Sequence, residues 1–354
     1  MLSSEALKAA RTSLARTSTV VTHRDGHRTV ERDGATVSTL PPPDVLPPAL
    51  QQPERKRLCI EPPTQPTWAL PPLSAALPLP TNDSLRVVTW NVWFAPVDAD
   101  ARMAALFQEA LGTAPDVLCL QEVVPELSKS LRASRGLRDA FAISQNDVGA
   151  YGCMLLVRHE LQPTFQEVRF PSQMGRSLLI AECSAPTAGR IAVATAHLES
   201  LGNAPTRAKQ LKAARAALAG YEKAVLCGDF NFDSTQNFGD WRTVPPRPPR
   251  PMREEEEDVD DEPYAGPVRV EPELENAVLG RVLGEGYVDA WPALRPEEPG
   301  HTFDGEANPH VADPEERMRY DRVMVRGVAP VSIKMLGVGA EPPSDHYGLC
   351  AEVR

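Results

Sequence analysis

KAVLCGDFN, residues 223–231, is an apolar run that stops at Gly228 and then presents Asp229 and Asn231, with Asp233 two residues further on. A short continuous apolar run bounded by Gly reads as a strand buried on both faces. Carboxylates and amides just past such a strand are costly unless they are bonded or used. Doubly buried strands alternating with helices make an α/β domain, and such domains gather their functional groups at strand ends.

The same texture recurs outward from this stretch. LRVVTWNV (85–92) and DVLCLQEV (116–123) are strand-like. Between them, DADARMAALFQEALGTAP (98–115) puts Met103, Leu106, Phe107, Ala110 and Leu111 on one helical face. Asp98 or Asp100 is its expected cap, and Gly112 with Pro115 its stop. Strand-like runs follow at 152–158, 177–183 and 190–196. A helix is expected over 205–221, with Pro205 at a favourable first position. YVDAW (287–291), RYDRVMVRG (319–327), VSIKMLGV (331–338) and YGLCAEVR (347–354) complete the set. The pattern predicts a single α/β domain over residues 84–354.

Two stretches break it. Residues 1–82 read as a disordered, Pro-rich N-terminal tail, and 243–272 as a disordered insertion running from proline to base to acid. Much of the formal net charge of -11 sits in EEEEDVDDE (254–262), which argues mildly against a general nucleic-acid coat protein. MLSSEALKAARTSLARTSTVVTHR resembles an organelle transit peptide in composition, the competing reading being a short frayed helix on the tail. ERKR (54–57) is too short to read as more than a solvated charge run. No run of roughly 18 apolar residues is present, so no membrane span is expected. The six cysteines form no CxxC pair and sit mostly in apolar runs, where Cys behaves as a small buried hydrophobe; a reducing compartment is expected.

The polar residues mark the strand ends. Asn91 ends one run, Gln121 and Glu122 another, His197 a third, and Asp229 with Asn231 a fourth. Asp321 opens a run, and Asp345 and His346 stand before the last. Singly, each has a plainer reading as a helix cap, a turn residue or a satisfied imidazole. Six such endings with matched chemistry suggest one cleft.

In order, TWN, LQE, HLES, GDFN, RYDR and PSDH resemble the endonuclease/exonuclease/phosphatase superfamily of metal-dependent phosphodiesterases. LQEVVPE, MGRSLL, HLES followed by Arg207 and Gln210, HTFDGEAN (301–308) and PSDHYGL are similar to its 5′-tyrosyl-DNA phosphodiesterase branch. The resemblance covers about residues 84–354. Asp233 stands where vertebrate-type members carry Arg, and NVWF replaces a more familiar N-I-D-G-L.

The resemblance implies an α/β (α+β) four-layer sandwich of two mixed sheets packed face to face, with helices outside. It implies Mg²⁺, with Mn²⁺ able to substitute, held by Glu122 with Asn91 and Asp345; a hard cation that keeps most of its waters needs only one or two carboxylates. Asp229 is then expected to orient and deprotonate the attacking water, and Asn231 to hold that water or a phosphate oxygen. His346, with Asp321 on its far nitrogen, is expected to stabilise transition-state charge. His197 is expected to be a second phosphate donor, with Ser200 nearby. Trp93, Phe94 and Phe303 are candidates to stack on a base or line the leaving-group side, although core packing is the plainer reading for each. Packing and salt bridging are expected for Arg207 and Gln210, and a turn role for Asp233.

The function implied is hydrolysis of 5′-phosphotyrosyl linkages between DNA and protein, as in repair of topoisomerase-type adducts. The partner is a DNA 5′ end carrying a tyrosine or peptide adduct. Competing readings are a related phosphodiesterase or nuclease acting on abasic DNA, RNA or phospholipid, and a non-catalytic nucleic-acid-binding scaffold. A monomeric catalytic domain in the nucleus or cytoplasm is expected, without membrane contact, and with tail and acidic insertion open to other proteins.

Overall fold

The structure, a computed structural model, describes residues 18–22, 28–32, 35–40, 67–68, 70, 84–185, 188–241, 273–284 and 286–354. The chain divides into two compact units, Met1–Thr64 and Gln65–Arg354.

In the first unit, β1 (Ser18–Thr22), β2 (Arg28–Arg32) and β3 (Ala35–Leu40) form an antiparallel sheet in that order. No strand is expected there from sequence. STVVT, RTVER and ATVSTL are rich in Val and Thr, which suit a pleated backbone, and the prolines that suggest a tail begin only at Pro41. The remainder of 1–82, apart from residues 67, 68 and 70, lies outside the described residues, as does the insertion expected at 243–272.

In the second unit the chain order is β4 (Leu85–Asn91), α1 (Ala99–Gly112), β5 (Val117–Val123), α2 (Pro125–Ala133), α3 (Arg135–Ala140), β6 (Phe141–Ile143) and β7 (Gly152–Arg158). Then come β8 (Thr164–Arg169), β9 (Ser177–Ala185), β10 (Gly189–His197), α4 (Ala204–Leu218) and β11 (Ala224–Asp229). After them lie α5 (Glu275–Leu283), β12 (Tyr287–Asp289), α6 (Ala290–Leu294), β13 (Phe303–Asp304), β14 (Arg317–Met318), β15 (Asp321–Arg326), β16 (Pro330–Leu336) and β17 (Gly348–Val353).

Twelve of these strands make two six-stranded mixed sheets, β16-β17-β4-β5-β7-β6 and β12-β15-β11-β10-β9-β8, and β13 and β14 pair as a separate antiparallel ribbon. Each has one parallel pair, β4 with β5 and β10 with β11, joined by a helical crossover. Alternate residues of the inner strands face opposite layers. Val87, Val117, Cys119, Val193, Val225 and Cys227 fill one core between the sheets. Val88, Leu118 and Leu120 face a second core with α1 and α2, and Ala192, Ala194 and Leu226 a third with α4 and α5. This is the four-layer sandwich expected, and burial on both faces explains the unbroken apolar runs. No helix among the described residues is long and apolar enough to cross a membrane.

Local details depart from expectation. The buried face of α1 contains Met103, Leu106, Phe107, Ala110 and Leu111 as read, but neither aspartate caps it. Asp98 sits at the N-cap with φ 46° and makes no side-chain cap bond. Helices α2 and α3 escape a periodicity reading because the chain is extended at Ser134 between pieces of nine and six residues.

Asp100 instead accepts from the Thr67 backbone and hydroxyl at 3.3 and 3.2 Å, and Trp68, only 4% exposed, joins the α1 core. The folded unit therefore reaches back into the expected tail. Trp68→Ala should lower unfolding free energy by about 3 kcal/mol, read from the denaturation midpoint. A truncation starting at residue 84 should lose as much, while one starting at residue 65 should not.

Candidate active site at the sheet edge

Parallel pairing brings the C-terminal ends of β4 and β5, and of β10 and β11, to one edge of each sheet. Asn91 lies opposite Gln121, and His197 opposite Asp229. β15 runs antiparallel to β11, so its first residue, Asp321, pairs with Asp229. β17 is likewise antiparallel to β4, and Asp345 and His346 precede it.

The strand ends are bent to aim these groups. Glu122 has φ 59° and lies in the register break between Leu120 and Val123. A bulge of this kind takes a side chain out of the pleat's alternation, and a left-handed Glu costs about 1–2 kcal/mol. Asn231, at φ 58°, is a residue type that tolerates this region. Gly228, at φ 130°, has no substitute, because a Cβ there would lie 2.0 Å from the Ala196 carbonyl of β10. That close approach aligns Asp229 with His197. Beneath them, Gln121 Nε2 donates to Thr89 Oγ1 at 3.1 Å and Thr195 Oγ1 at 2.9 Å, tying the two sheets together.

Asp229 is the centre. Its Oδ2 accepts from Asn91 Nδ2 at 3.0 Å and faces His197 Nε2 at 3.3 Å and His346 Nε2 at 3.7 Å. Its Oδ1 accepts from the Asn231 backbone at 2.9 Å. Burial works against its charge, but the histidines and amide donors outweigh burial and hold the carboxyl below the usual range. His346 Nδ1 lies 2.7 Å from Asp321 Oδ2. Burial disfavours its charge too, yet Asp321 and Asp229 raise it well above an ordinary histidine. His346 is therefore an imidazolium at neutral pH.

His197 is the opposite case. Its Nδ1 faces Arg176 Nη1 at 3.0 Å. A guanidinium only donates, so Nδ1 accepts and the ring proton sits on Nε2, aimed at Asp229. Burial and then the Arg176 charge push His197 well below the ordinary value, and it stays neutral. Asp229 thus lies between a charged and a neutral imidazole. Arg176, buried, also donates to Ser200 Oγ at 3.1 Å and lies over the Tyr151 ring at 5.1 Å. Sequence reading quotes its segment, MGRSLL, but gives the arginine no role.

The loop before β17 is held by Ser344, whose hydroxyl donates to the Asn91 carbonyl at 2.6 Å and accepts from the His346 backbone at 3.1 Å. Glu122 Oε2 accepts from the Phe94 backbone at 3.1 Å. Burial, then the neighbouring Asp345 carboxylate, pushes Glu122 up to about 7, and burial raises Asp345 as well. A half-buried and a buried carboxylate that repel each other suit a hard divalent cation. Asn91 suits it less, since Oδ1 already accepts from the Trp93 backbone at 3.0 Å while Nδ2 serves Asp229. Among the described residues no three His, Cys, Asp or Glu side chains converge as a metal cage, and a hydrated Mg²⁺ does not require one.

The aromatic candidates separate. Phe94 is 45% exposed and stacks on Tyr151, with ring centres 4.9 Å apart. Trp93 lies against His310 at 4.7 Å. Phe303 is buried and packs on the His346 ring at 4.9 Å, so it offers no face to a base. Asn231 Nδ2 is bonded to the Leu198 carbonyl at 3.1 Å, which fixes the amide beside Asp229. Arg207 is paired with Glu275 through both carboxylate oxygens, and Gln210 bonds Glu199. Asp233 closes a turn onto Thr235 and takes the Arg319 backbone at 2.7 Å. These last three play the structural parts expected of them.

The family model described as Endonuclease/Exonuclease/phosphatase family matches residues 88–346. No curated protein sequence matches the chain. Among solved structures, D. rerio TDP2 complexed with single-strand DNA product is 22% identical, with a TM-score of 0.57 over 77% of this chain and 99% of that one. C. elegans TDP2 is also 22% identical, at 0.56 over 77% and 75%. An endonuclease/exonuclease/phosphatase from Bacteroides vulgatus is 16% identical, at 0.52 over 77% and 98%. At these identities the likeness is one of fold.

Proposed function

The chain belongs to the endonuclease/exonuclease/phosphatase family, and from that premise we propose that it hydrolyses 5′-phosphotyrosyl linkages on DNA with the help of Mg²⁺. The observation that carries the hydrolytic reading is the row His197–Asp229–His346–Asp321, in which one carboxylate lies between a neutral and a charged imidazole.

Asp229, kept ionised, orients a water and accepts its proton as the bond to phosphorus forms. Asn91 and the Asn231 backbone hold that carboxylate in one rotamer. The His346 imidazolium donates Nε2–H to a non-bridging oxygen as negative charge builds there. Asp321 keeps it charged and oriented. His197 keeps its own proton directed at the same spot, ready for a second phosphate oxygen. Glu122 and Asp345 would hold Mg²⁺, or Mn²⁺ in its place, which when bound neutralises phosphate and leaving-group charge.

The tyrosyl reading is supported by the leaving group's chemistry. A phenol with pKa about 10 departs more readily than a sugar alkoxide, so no further acid is demanded of the chain. The exposed Phe94–Tyr151 stack gives an aromatic ring or an unpaired base a face to lie on. The D. rerio protein's single-strand DNA product is consistent with a DNA end as substrate. A related phosphodiester remains the second reading, favoured by Asp233, a carboxylate where vertebrate-type members of the resembled branch carry an arginine.

Incubation with a 5′-phosphotyrosyl oligonucleotide, with and without Mg²⁺, tests the proposal against abasic duplex, RNA and phosphoinositide. Metal-dependent release of tyrosine and a 5′-phosphate end is the expected result. Turnover of another substrate alone would transfer the mechanism to that substrate, and turnover of none would leave a scaffold.

Glu122→Gln should lower metal-dependent turnover by on the order of 10²-fold or more, and weaken Mg²⁺ binding in calorimetry. Because the carboxyl is strained by burial and by Asp345, the neutral amide should leave the melting temperature no lower. Normal Mg²⁺ binding in the variant would remove Glu122 from the ligand set.

A further inference from the structure

Arg102, on α1, is buried, and the chemistry above gives it no part. Its guanidinium is bonded to carbonyl oxygens. Nε donates to Val97 at 2.8 Å, one terminal nitrogen to Pro343 at 2.9 Å and Val92 at 3.3 Å, and the other to Ala95 at 2.6 Å and Trp93 at 3.4 Å. Its Cζ lies over the Trp93 ring, 4.5 Å from the ring centre. Four of these carbonyls belong to the loop after Asn91. The fifth, 241 residues away in sequence, belongs to the loop that carries Asp345 and His346. The neighbouring carbonyls of Pro342 and Ser344 are bonded by His310 and Asn308, each at 2.9 Å. Ser344 Oγ ties the second loop to the Asn91 carbonyl at 2.6 Å and the His310 ring also lies against Trp93, but Arg102 is the group that bonds carbonyls along the 92–97 stretch and in the second loop together.

We propose that Arg102 is a positioning residue for the hydrolysis, setting the Asn91–Phe94 loop against the Asp345–His346 loop. The consequence for the site is direct. Asn91 holds Asp229, the Phe94 backbone holds Glu122, and the second loop carries His346. A shift between the loops moves water-orienting carboxylate, metal carboxylates and imidazolium relative to one another. Lysine cannot replace the arginine, because a compact ammonium has three donors and no planar fork to span five acceptors. The catalytic part of the proposal rests on the hydrolase reading; the clamp itself does not.

The test compares Arg102→Lys with Arg86→Lys. Arg86 is an arginine fork at the far end of β4, bonded to Glu352 and the Thr113 carbonyl. Hydrogen exchange by mass spectrometry should show residues 92–97 and 342–347 both exchanging about tenfold or more faster in Arg102→Lys, with β4 and β17 still protected. kcat should fall on the order of 30- to 100-fold with KM within about threefold, as expected for a misplacement near 1 Å. Arg86→Lys should leave both loops and kcat unchanged. If Arg102→Lys does not fold, Trp93→Leu, which removes the ring under the guanidinium, should loosen both loops in the same direction. Loosening of one loop alone, even loosening of α1 and its sheet, or loosened loops with kcat intact would overturn the proposal. A wild-type chain that cleaves no phosphodiester would overturn the hydrolase reading instead, and the exchange result would still decide the clamp.

Discussion

Asp229→Asn should lower kcat by on the order of 10³-fold or more while the protein stays folded. One carboxylate oxygen accepts from Asn91 Nδ2 and faces His197 Nε2 at 3.3 Å and His346 Nε2 at 3.7 Å, and the other accepts from the Asn231 backbone. An amide of the same shape has one acceptor. If its oxygen serves Asn231, its NH₂ is turned toward Asn91, His197 and the charged His346, donor against donor. If it is flipped, the Asn231 backbone is left unpaired. Either way, no group remains to take a proton from water. The loss should appear in kcat under saturating substrate, with circular dichroism and melting close to wild type. Retention of a tenth of the activity would mean that the water is activated elsewhere.

His346→Ala should lower kcat by on the order of 10²-fold or more, with a much smaller effect on substrate binding, since the imidazolium meets charge that develops only in the transition state. Asp321 acts through it. The 2.7 Å contact raises the His346 pKa, so the ring remains charged as pH rises past an ordinary histidine's range. Asp321→Asn removes that support and the His346 pKa falls. The ring then loses its proton at lower pH, and the high-pH limb of the rate profile should move to lower pH. The low-pH limb, set by Asp229, should move little. Because the pair is one unit, the double variant should be little worse than His346→Ala alone. Strictly multiplicative losses would separate the two residues.

Much of this site is legible without coordinates. Apolar runs such as DVLCL and AVLCG announce strands buried on both faces, and polar residues cluster where those runs stop. The structure brings Asn91, Glu122, His197, Asp229, Asn231, Asp321, Asp345 and His346 to one edge, because parallel pairing and two antiparallel flanks align just those ends. The weaker readings were of local elements whose fate depends on neighbours. Strands β1 to β3 precede the proline runs that dominate the composition of the tail. Trp68 lies in the stretch read as a Pro-rich tail, yet the α1 core takes it in. Phe303 is an aromatic in a site motif, but its ring supports His346 from behind.

By itself, then, the sequence determined the α/β class and the set of residues that could meet, since both follow from periodicity and from where polarity interrupts it; the two-sheet sandwich was implied only by the family resemblance. Tertiary structure alone decided the charge states and the clamps. Both imidazoles are buried beside Asp229; burial and the Arg176 guanidinium disfavour the charge on His197, whereas Asp321 and Asp229 outweigh burial at His346, and the letter H is the same for both. Arg176 and Arg102 are long cations that sequence reasoning assigns to solvent. Their burial becomes visible only when distant segments bring an imidazole, a hydroxyl or a row of carbonyls to meet them, because the cost of taking a charge out of water is offset by partners that no local stretch contains.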